Sequence, residues 1–329
     1  MPQPRRHLGI DLGGTKVVLA LGDEAGEPVA SRRRATSQSG DWRRDLETLI
    51  EEAQALMAEA GVQASALVRI GVSVPGPADP ARGIVINPPN LLAWENVPVA
   101  QVLADALGAE TRIENDANAA ALAEAKFGAG RDVRDLVYLT MSTGIGAGIL
   151  AGGRLIQGAF GAAGELGHMP IAGPTPFAEA PICACGLRGC FEAYVGGNAW
   201  RDHLRRTAPT DGRVAERAGG DVAAIRPEHL VEAAREGDPW ASAEFDRWLD
   251  RLVDGLVPIV MTFDPQRIVL GTIAVAAGEA LCFTPLRAKL TERLWSHQLD
   301  RLEIVPAELG AAMPDRAGLA VALAGSDSR

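Results

Sequence analysis

The sequence predicts an α/β protein built as two similar lobes. Three observations carry this expectation. Short β-branched apolar runs bounded by glycine alternate with longer stretches whose apolar residues recur at helical spacing. A pattern of strand, glycine turn, strand, glycine turn, strand occurs in "LGIDLGGTKVVLALGDEAGEPVASRRRA" and recurs from Arg134 to Ile156 in "RDLVYLTMSTGIGAGILAGGRLI". The 329 residues also exceed what one ordinary compact core holds. Two lobes facing each other would leave a cleft, a natural ligand site.

The elements follow in order. The first hairpin pattern ends in "SRRRATSQSG" (Ser31 to Gly40), read as a solvated strand end and loop. A helix is predicted from about Asp41 to Ala60, where "DLETLIEEAQALMAEAG" carries Leu, Ile and Met at helical spacing and Gly61 supplies a stop. "VRIGVSVPGP" reads as a strand ending in a Pro-Gly turn. "RIENDANAAALAEAKFGAG" turns from strand to alanine-rich helix. After the second hairpin pattern, "REGDPWASAEFDRWLDRLVDGLVPIVMTFDPQRIVLG" is a long helix feeding a strand. The first lobe is placed at residues 1–115 and the second at 116–310, with a C-terminal helix at about 311–329 ("AGLAVALAG") returning to the first.

Composition limits function. Apolar residues make up 47% and charged residues 22%, an ordinary globular balance. A net charge of −10 argues against non-specific nucleic-acid or anionic-membrane binding, both of which need a basic surface. "MPQPRRHLGIDLGGTK" lacks the apolar core of a signal peptide. No stretch approaches the roughly 18 apolar residues of a membrane span; "LVDGLVPIVMTF" comes nearest, interrupted by Asp254 and Pro258. A soluble cytoplasmic protein is expected.

Two glycine turns invite a phosphate reading. "DLGGTK" (Asp11, Gly13, Gly14, Thr15, Lys16) and "STGIGAG" (with Thr143 and Gly144) each sit between short strands. Glycine lets backbone N–H groups approach an anion unobstructed, and Thr15 and Thr143 add hydroxyl donors. Either turn alone is also explained as a tight hairpin. Their matching places in a repeated pattern favour a pair that grips one nucleotide, with Asp11 holding Mg²⁺ through water. Neither fits a Walker loop or a dinucleotide-binding fingerprint. In "END", Asn115 or Asp116 is an N-cap, or Asp116 is a general base that takes a hydroxyl proton.

Cys183, Cys185 and Cys190 are three of the chain's four cysteines, packed into "PICACGLRGC". Disulfide, metal and coincidence all stand on spacing alone, and a reducing compartment favours metal or redox use.

The combination "DLGGTK", "ENDANAAALAE", "MSTGIGAGILAGGRLIQGAFGAAGELGH" and "CACGLRGCFEAY" resembles the ROK family (repressors, open reading frames and kinases) of the actin/hexokinase-like ATPase superfamily. "PPNLLAWENVPV" and "GELGHM" look most like its bacterial glucokinases. The resemblance implies a two-lobed actin/hexokinase-like (ribonuclease H-like) ATPase fold with an inter-lobe cleft, and an ATP-dependent sugar kinase. It makes Asp116 the catalytic base. It gives Asn90, Asn115, Asp116, Glu165, His168 and Glu192 to the sugar. It gives the two glycine turns and Gly271 to the nucleotide. His168, Cys183, Cys185 and Cys190 match the family's zinc site, a closed Cys₃His set of structural type. A metal on one ring nitrogen would orient His168 and leave the other nitrogen for a sugar hydroxyl. A homodimer or homotetramer is implied as well.

Two features depart from the family pattern. "HMPIAGPTPFAEAPIC" is several residues longer than usual, and "IVLGTIAVAAG" puts Thr272 and Ile273 where small residues normally follow Gly271. Glucose is the first expected substrate; N-acetylmannosamine, N-acetylglucosamine, mannose and fructose stay open. A sugar-sensing regulator of the same family is the alternative, disfavoured because "DLGGTK" begins at residue 11, with no room before it for a helix-turn-helix. A chaperone- or actin-like ATPase is disfavoured by the cysteine cluster and "GELGH".

Overall fold

The computed structural model describes residues 4–171, 173 and 176–325. The chain divides into two compact units. One comprises the chain up to Asp132, Arg154–Ala163, and the chain from Glu308 onward; the other comprises Val133–Gly153 and Gly164–Ala307.

In the first unit, β1 (Arg6–Leu12), β2 (Lys16–Gly22) and β3 (Pro28–Ala35) form an antiparallel meander. β4 (Leu67–Val74) pairs parallel with β1. A short hairpin of β5 (Ala78–Asp79) and β6 (Ile84–Val85) follows, and β7 (Glu110–Asn115) pairs parallel with β4. The sheet order is β3-β2-β1-β4-β7. α1 (Trp42–Glu59) and α2 (Val99–Leu107) cover one face, where Leu46, Leu49, Leu56 and Leu103 pack with Leu8, Ile10, Leu19, Ile70 and Val72. Each such side chain contributes about 1.5–3 kcal/mol on full burial. Asp41 caps α1, accepting from Arg43 N–H at 3.0 Å.

α3 (Asp116–Phe127) belongs to this unit, so the unit extends past the boundary expected after residue 115. The physical reason is its alanine face: Ala119 and Ala123 pack against Ala317, Ala320 and Val321 of the C-terminal helix (Met313–Leu323). That helix lies on the other face of the sheet at unusually close range. A Cβ on Gly71 would stand 2.1 Å from the Gly318 carbonyl oxygen, and one on Gly318 2.2 Å from Ile10 N. Glycine is required there for the approach itself.

The second unit repeats most of this order. β8 (Leu136–Met141) and β9 (Ile145–Ala151) are antiparallel, and the Gly152–Gly153 turn leads out to β10 (Arg154–Leu155), which is counted with the first unit. β11 (Arg267–Leu270) and β12 (Glu303–Pro306) add in parallel, giving β9-β8-β11-β12. Its helices are α4 (Glu192–Val195), α5 (Gly197–Thr207), α6 (Arg213–Arg217), α7 (Pro227–Arg235), α8 (Pro239–Phe263), α9 (Ile273–Gly278), α10 (Thr284–Thr291) and α11 (Ser296–Leu299); the C-terminal helix of the first unit is α12. α8 runs through Pro258 as one helix, as the long helix read from the sequence implied. Trp200, Phe245 and Trp248 form its aromatic core, with Trp200 and Trp248 stacked at 5.0 Å. Trp248 Nε1 donates to the Val195 carbonyl at 3.1 Å. Among the described residues no helix is long and apolar enough to cross a membrane.

Candidate functional site

The expected site residues fall into two sets, one in each unit. In the first unit they sit at the C-terminal ends of β1 and β7 and in the loops beside them. Asp11 is the penultimate residue of β1, and the Gly13–Thr15 turn closes with a Gly13 N–H to Lys16 carbonyl bond of 3.0 Å. Lys16 opens β2 and is exposed. Gly14 is pressed against Asn90: a Cβ there would stand 2.6 Å from the Asn90 Cβ. Gln38 donates to the carbonyls of both Gly14 and Asn90, so it ties the glycine turn to the "PPNL" loop. Nothing in the sequence marked Gln38, since a loop glutamine has no pattern.

Asn115 and Asp116 lie at the junction of β7 and α3. Asn115 is the N-cap: its Oδ1 accepts from Asn118 N–H at 2.8 Å, which leaves its amide NH₂ as donor. Asp116 is the first helical residue. Its Oδ1 accepts from Ala117 N–H at 2.8 Å, leaving Oδ2 as a proton acceptor. The residue is exposed, yet the protein crowding around its carboxyl hinders hydration there and raises it above the usual aspartate value, against the pull of its backbone hydrogen bonds. Burial likewise raises Asp11, opposed by a hydrogen bond from Ser73 and reinforced by the Asp116 charge. Asp11 and Asp116 are therefore electrostatic neighbours. Ser73, 1% exposed, is a site residue that sequence reasoning passed over. A buried serine in the apolar strand "VRIGVSV" must find a partner, which was a usable signal.

Immediately before Asn115, Glu114 is 3% exposed. Its Oε1 accepts from Asn115 N–H at 3.0 Å and from Asn118 Nδ2 at 2.9 Å. Its Oε2 accepts from Gln157 Nε2 at 2.5 Å.

In the second unit, Thr143 and Gly144 form the turn between β8 and β9. Glu192, at the start of α4, reaches under this turn: its Oε2 accepts from Ile145 N–H at 2.7 Å. Gly144 makes room, since a Cβ there would stand 2.1 Å from that same oxygen. Gly271 follows β11, donates its N–H to the Leu139 carbonyl of β8 at 2.8 Å and packs against Tyr138. The next residue, Thr272, has φ 46°, a strained conformation for a β-branched residue. Its Oγ1 accepts from Met141 N–H at 2.9 Å, at the edge of the Thr143 turn. The departure from small residues noted in the sequence is thus joined to the nucleotide-turn candidate.

The Cys₃His set is brought together. Glu165 lies just before a 3₁₀ turn over Leu166–His168. Met169–Ile171 pairs with Gly189–Phe191, and Cys183 N–H donates to the Leu187 carbonyl at 2.8 Å, closing a small knuckle. The ligand atoms of His168, Cys183, Cys185 and Cys190 all lie within 4.8 Å of one another. The cysteines are free, with the Cys185 and Cys190 sulfurs 3.8 Å apart. That is far beyond a disulfide bond and fits zinc, whose ~2.3 Å Zn–S bonds at tetrahedral angles put sulfurs about 3.8 Å apart. Burial pushes the Cys183 thiol up to about 12 and raises Cys190 as well, whereas a backbone hydrogen bond from Leu187 lowers Cys185, so two of the three thiols resist the ionisation that a cation would stabilise. Residues 172, 174 and 175 of the long segment before Cys183 lie outside the described residues.

The comparisons with known proteins agree with this layout. The ROK family model matches residues 7–323. A glucokinase of Thermotoga maritima is 34% identical over 307 residues, covering 92% of each chain. A xylose repressor of Caldicellulosiruptor bescii is 28% identical, covering 92% of this chain and 74% of the repressor. An N-acetylmannosamine kinase of Citrobacter koseri is 31% identical, covering 82% of this chain and 84% of that one. The ROK hexokinase structure from Thermus thermophilus superposes with a TM-score of 0.79 at 32% identity, covering 97% of this chain and 98% of that one. A ROK glucokinase from Streptomyces griseus in complex with glucose and AMPPNP gives a TM-score of 0.73 at 29% identity, covering 98% and 99%. The fold is therefore the two-lobed sugar kinase fold of these hexokinases.

Proposed function

Because the chain belongs to the ROK family, of the actin/hexokinase-like ATPase superfamily, we propose that it is an ATP-dependent sugar kinase whose first substrate is glucose and whose product is glucose 6-phosphate. The observation that carries this reading is Asp116. It stands at a helix start with Oδ1 bonded to the Ala117 N–H, beside a capping asparagine that keeps its amide donor.

In the proposed step the C6 hydroxyl oxygen attacks the γ-phosphorus of ATP. The O–P bond forms, the bond to the β,γ-bridging oxygen breaks, ADP leaves, and the hydroxyl proton passes to Asp116. Burial that raises the Asp116 carboxyl makes it a better proton acceptor than an ordinary aspartate. The amide of Asn115, with Asn90, Glu165, His168 and Glu192, would bond the sugar hydroxyls. A pocket of such groups rejects sugars that leave them unpaired. The Gly13–Lys16 and Thr143–Gly144 turns, with Gly271, would receive the nucleotide. Mg²⁺, which neutralises phosphate charge, would be held on the Asp11 side through water. Zn²⁺ would sit on His168, Cys183, Cys185 and Cys190 as a structural ion.

The relative with AMPPNP and glucose supports ATP as donor, and the glucokinase relatives support glucose over other hexoses. The N-acetylmannosamine kinase relative makes that sugar the main competitor, and the repressor relative supplies a second reading as a sugar sensor. Product analysis tests the proposal. Purified protein with glucose and Mg·ATP should yield glucose 6-phosphate by mass spectrometry and ³¹P NMR. Sugar binding without any phosphorylated product would select the sensor reading.

A further inference from the structure

Glu114 is a nearly buried carboxylate that no role above uses. Among the described residues it forms no salt bridge, and its three bonds all come from neutral donors: Asn115 N–H, Asn118 Nδ2 and Gln157 Nε2. A buried carboxylate can be retained only if its lone pairs are satisfied, and an acceptor-only group is what three converging donors require. The first two donors belong to the turn that presents Asn115 and Asp116. The third comes from Arg154–Ala163, a stretch that packs with the first unit although the chain before and after it belongs to the second. Within the first unit this stretch also rests on the β5–β6 hairpin, where a Cβ on Gly161 would lie 3.3 Å from Pro80 Cδ. It then runs directly into Gly164 and Glu165.

We propose that Glu114 is a positioning residue for phosphoryl transfer, fixing the Asn115–Asp116 junction and anchoring the Arg154–Ala163 stretch to it through Gln157. The inference rests on the kinase reading above. Glu114 touches neither substrate nor reacting atoms; it acts by holding Asp116 in register and the Arg154–Ala163 stretch in place beside it. A small misplacement of a base is enough to cost a large factor in rate.

The bond polarity offers a test that does not depend on deleting a buried group. Gln157→Glu sets two carboxylates against each other and should release the anchored stretch. Adding Glu114→Gln should rebuild it with the polarity reversed. The amide introduced at position 114 keeps an oxygen for Asn115 and Asn118, and its NH₂ donates to the carboxylate introduced at position 157. The expected result is a loss of about tenfold or more in kcat/KM for the sugar in Gln157→Glu, carried mainly by kcat, with KM for ATP within about twofold, and recovery of most of that loss in the double variant. Glu114→Gln alone should lose a few-fold, about threefold, as its partners readjust. Thermal unfolding run alongside separates structure from positioning. A lowered melting temperature with unchanged kinetics would overturn the role, as would a kinetic loss that Glu114→Gln leaves unrescued. Wild-type protein with no turnover on any sugar would instead overturn the kinase reading and the positioning role with it.

Discussion

His168 turns Nδ1 towards Cys183 Sγ at 3.7 Å, while its Nε2 lies 4.0 Å from Glu165 Oε2. One ring therefore faces the thiol knuckle with one nitrogen and a sugar-site candidate with the other. A metal on Nδ1 would fix the ring plane and leave Nε2 to meet a hydroxyl, so metal and substrate affinity are linked. Cys183 adds a second link, its Sγ lying 3.5 Å from Glu192 Oε1.

Replacing Cys185 with serine should abolish zinc binding, as measured by plasma emission spectrometry on folded protein. Structural zinc in small peptides is worth roughly 10 kcal/mol or more, so the local knuckle should open and the melting temperature fall. KM for the sugar should rise more than KM for ATP. Wild-type protein that folds and turns over without bound zinc would remove the metal from the site.

Asp116→Asn keeps the shape and removes the base. Turnover should fall by about 10²–10⁴-fold while sugar affinity, measured by calorimetry, changes little. The same variant should melt at or above the wild-type temperature at neutral pH. The folded carboxyl of Asp116 is raised, so the stability tied to its neutral form is present at low pH and lost as pH rises through the folded pKa; asparagine carries no such penalty.

Activity runs the opposite way with pH. The base must be ionised, so kcat/KM should fall on acidification, with its midpoint above the ordinary aspartate range because burial raises Asp116. A profile flat down to the usual aspartate pKa would take Asp116 out of the base role.

Gly144→Ala probes the second turn without replacing a polar side chain. Its Cβ would collide with Glu192 Oε2, and the bond from Ile145 N–H would have to break. Nucleotide and sugar affinity should both weaken, by about 10- to 150-fold if one charge-assisted hydrogen bond of ~1.5–3 kcal/mol is lost. Steady-state KM values for both substrates check this; a variant with unchanged constants would show that the turn tolerates displacement.

The α/β pattern was readable because its signals are local. Glycines bracketing β-branched runs marked β1, β2, β8 and β9, and helical spacing marked α1 and α8. The choice between cap and base in "END" could not be read locally, since asparagine and aspartate cap equally well; the Asn115–Asn118 bond assigns the cap and frees Asp116. The position of α3 was missed because alanine carries no directional signal: its place depends on α12, at the far end of the chain, and on the glycines that let α12 approach the sheet. Glu114, Gln157 and Gln38 escaped notice for a related reason. Each acts through a partner distant in sequence, or through a bond to backbone that no spacing rule records.

The central claim is most directly tested by ADP release from purified protein with Mg·ATP across glucose, mannose, fructose, N-acetylglucosamine and N-acetylmannosamine, with Asp116→Asn run beside the wild type. The predicted result is sugar-dependent ADP release, strongest with glucose and absent in the variant. Sugar binding without ADP release from the wild type, or equal release from Asp116→Asn, would contradict it.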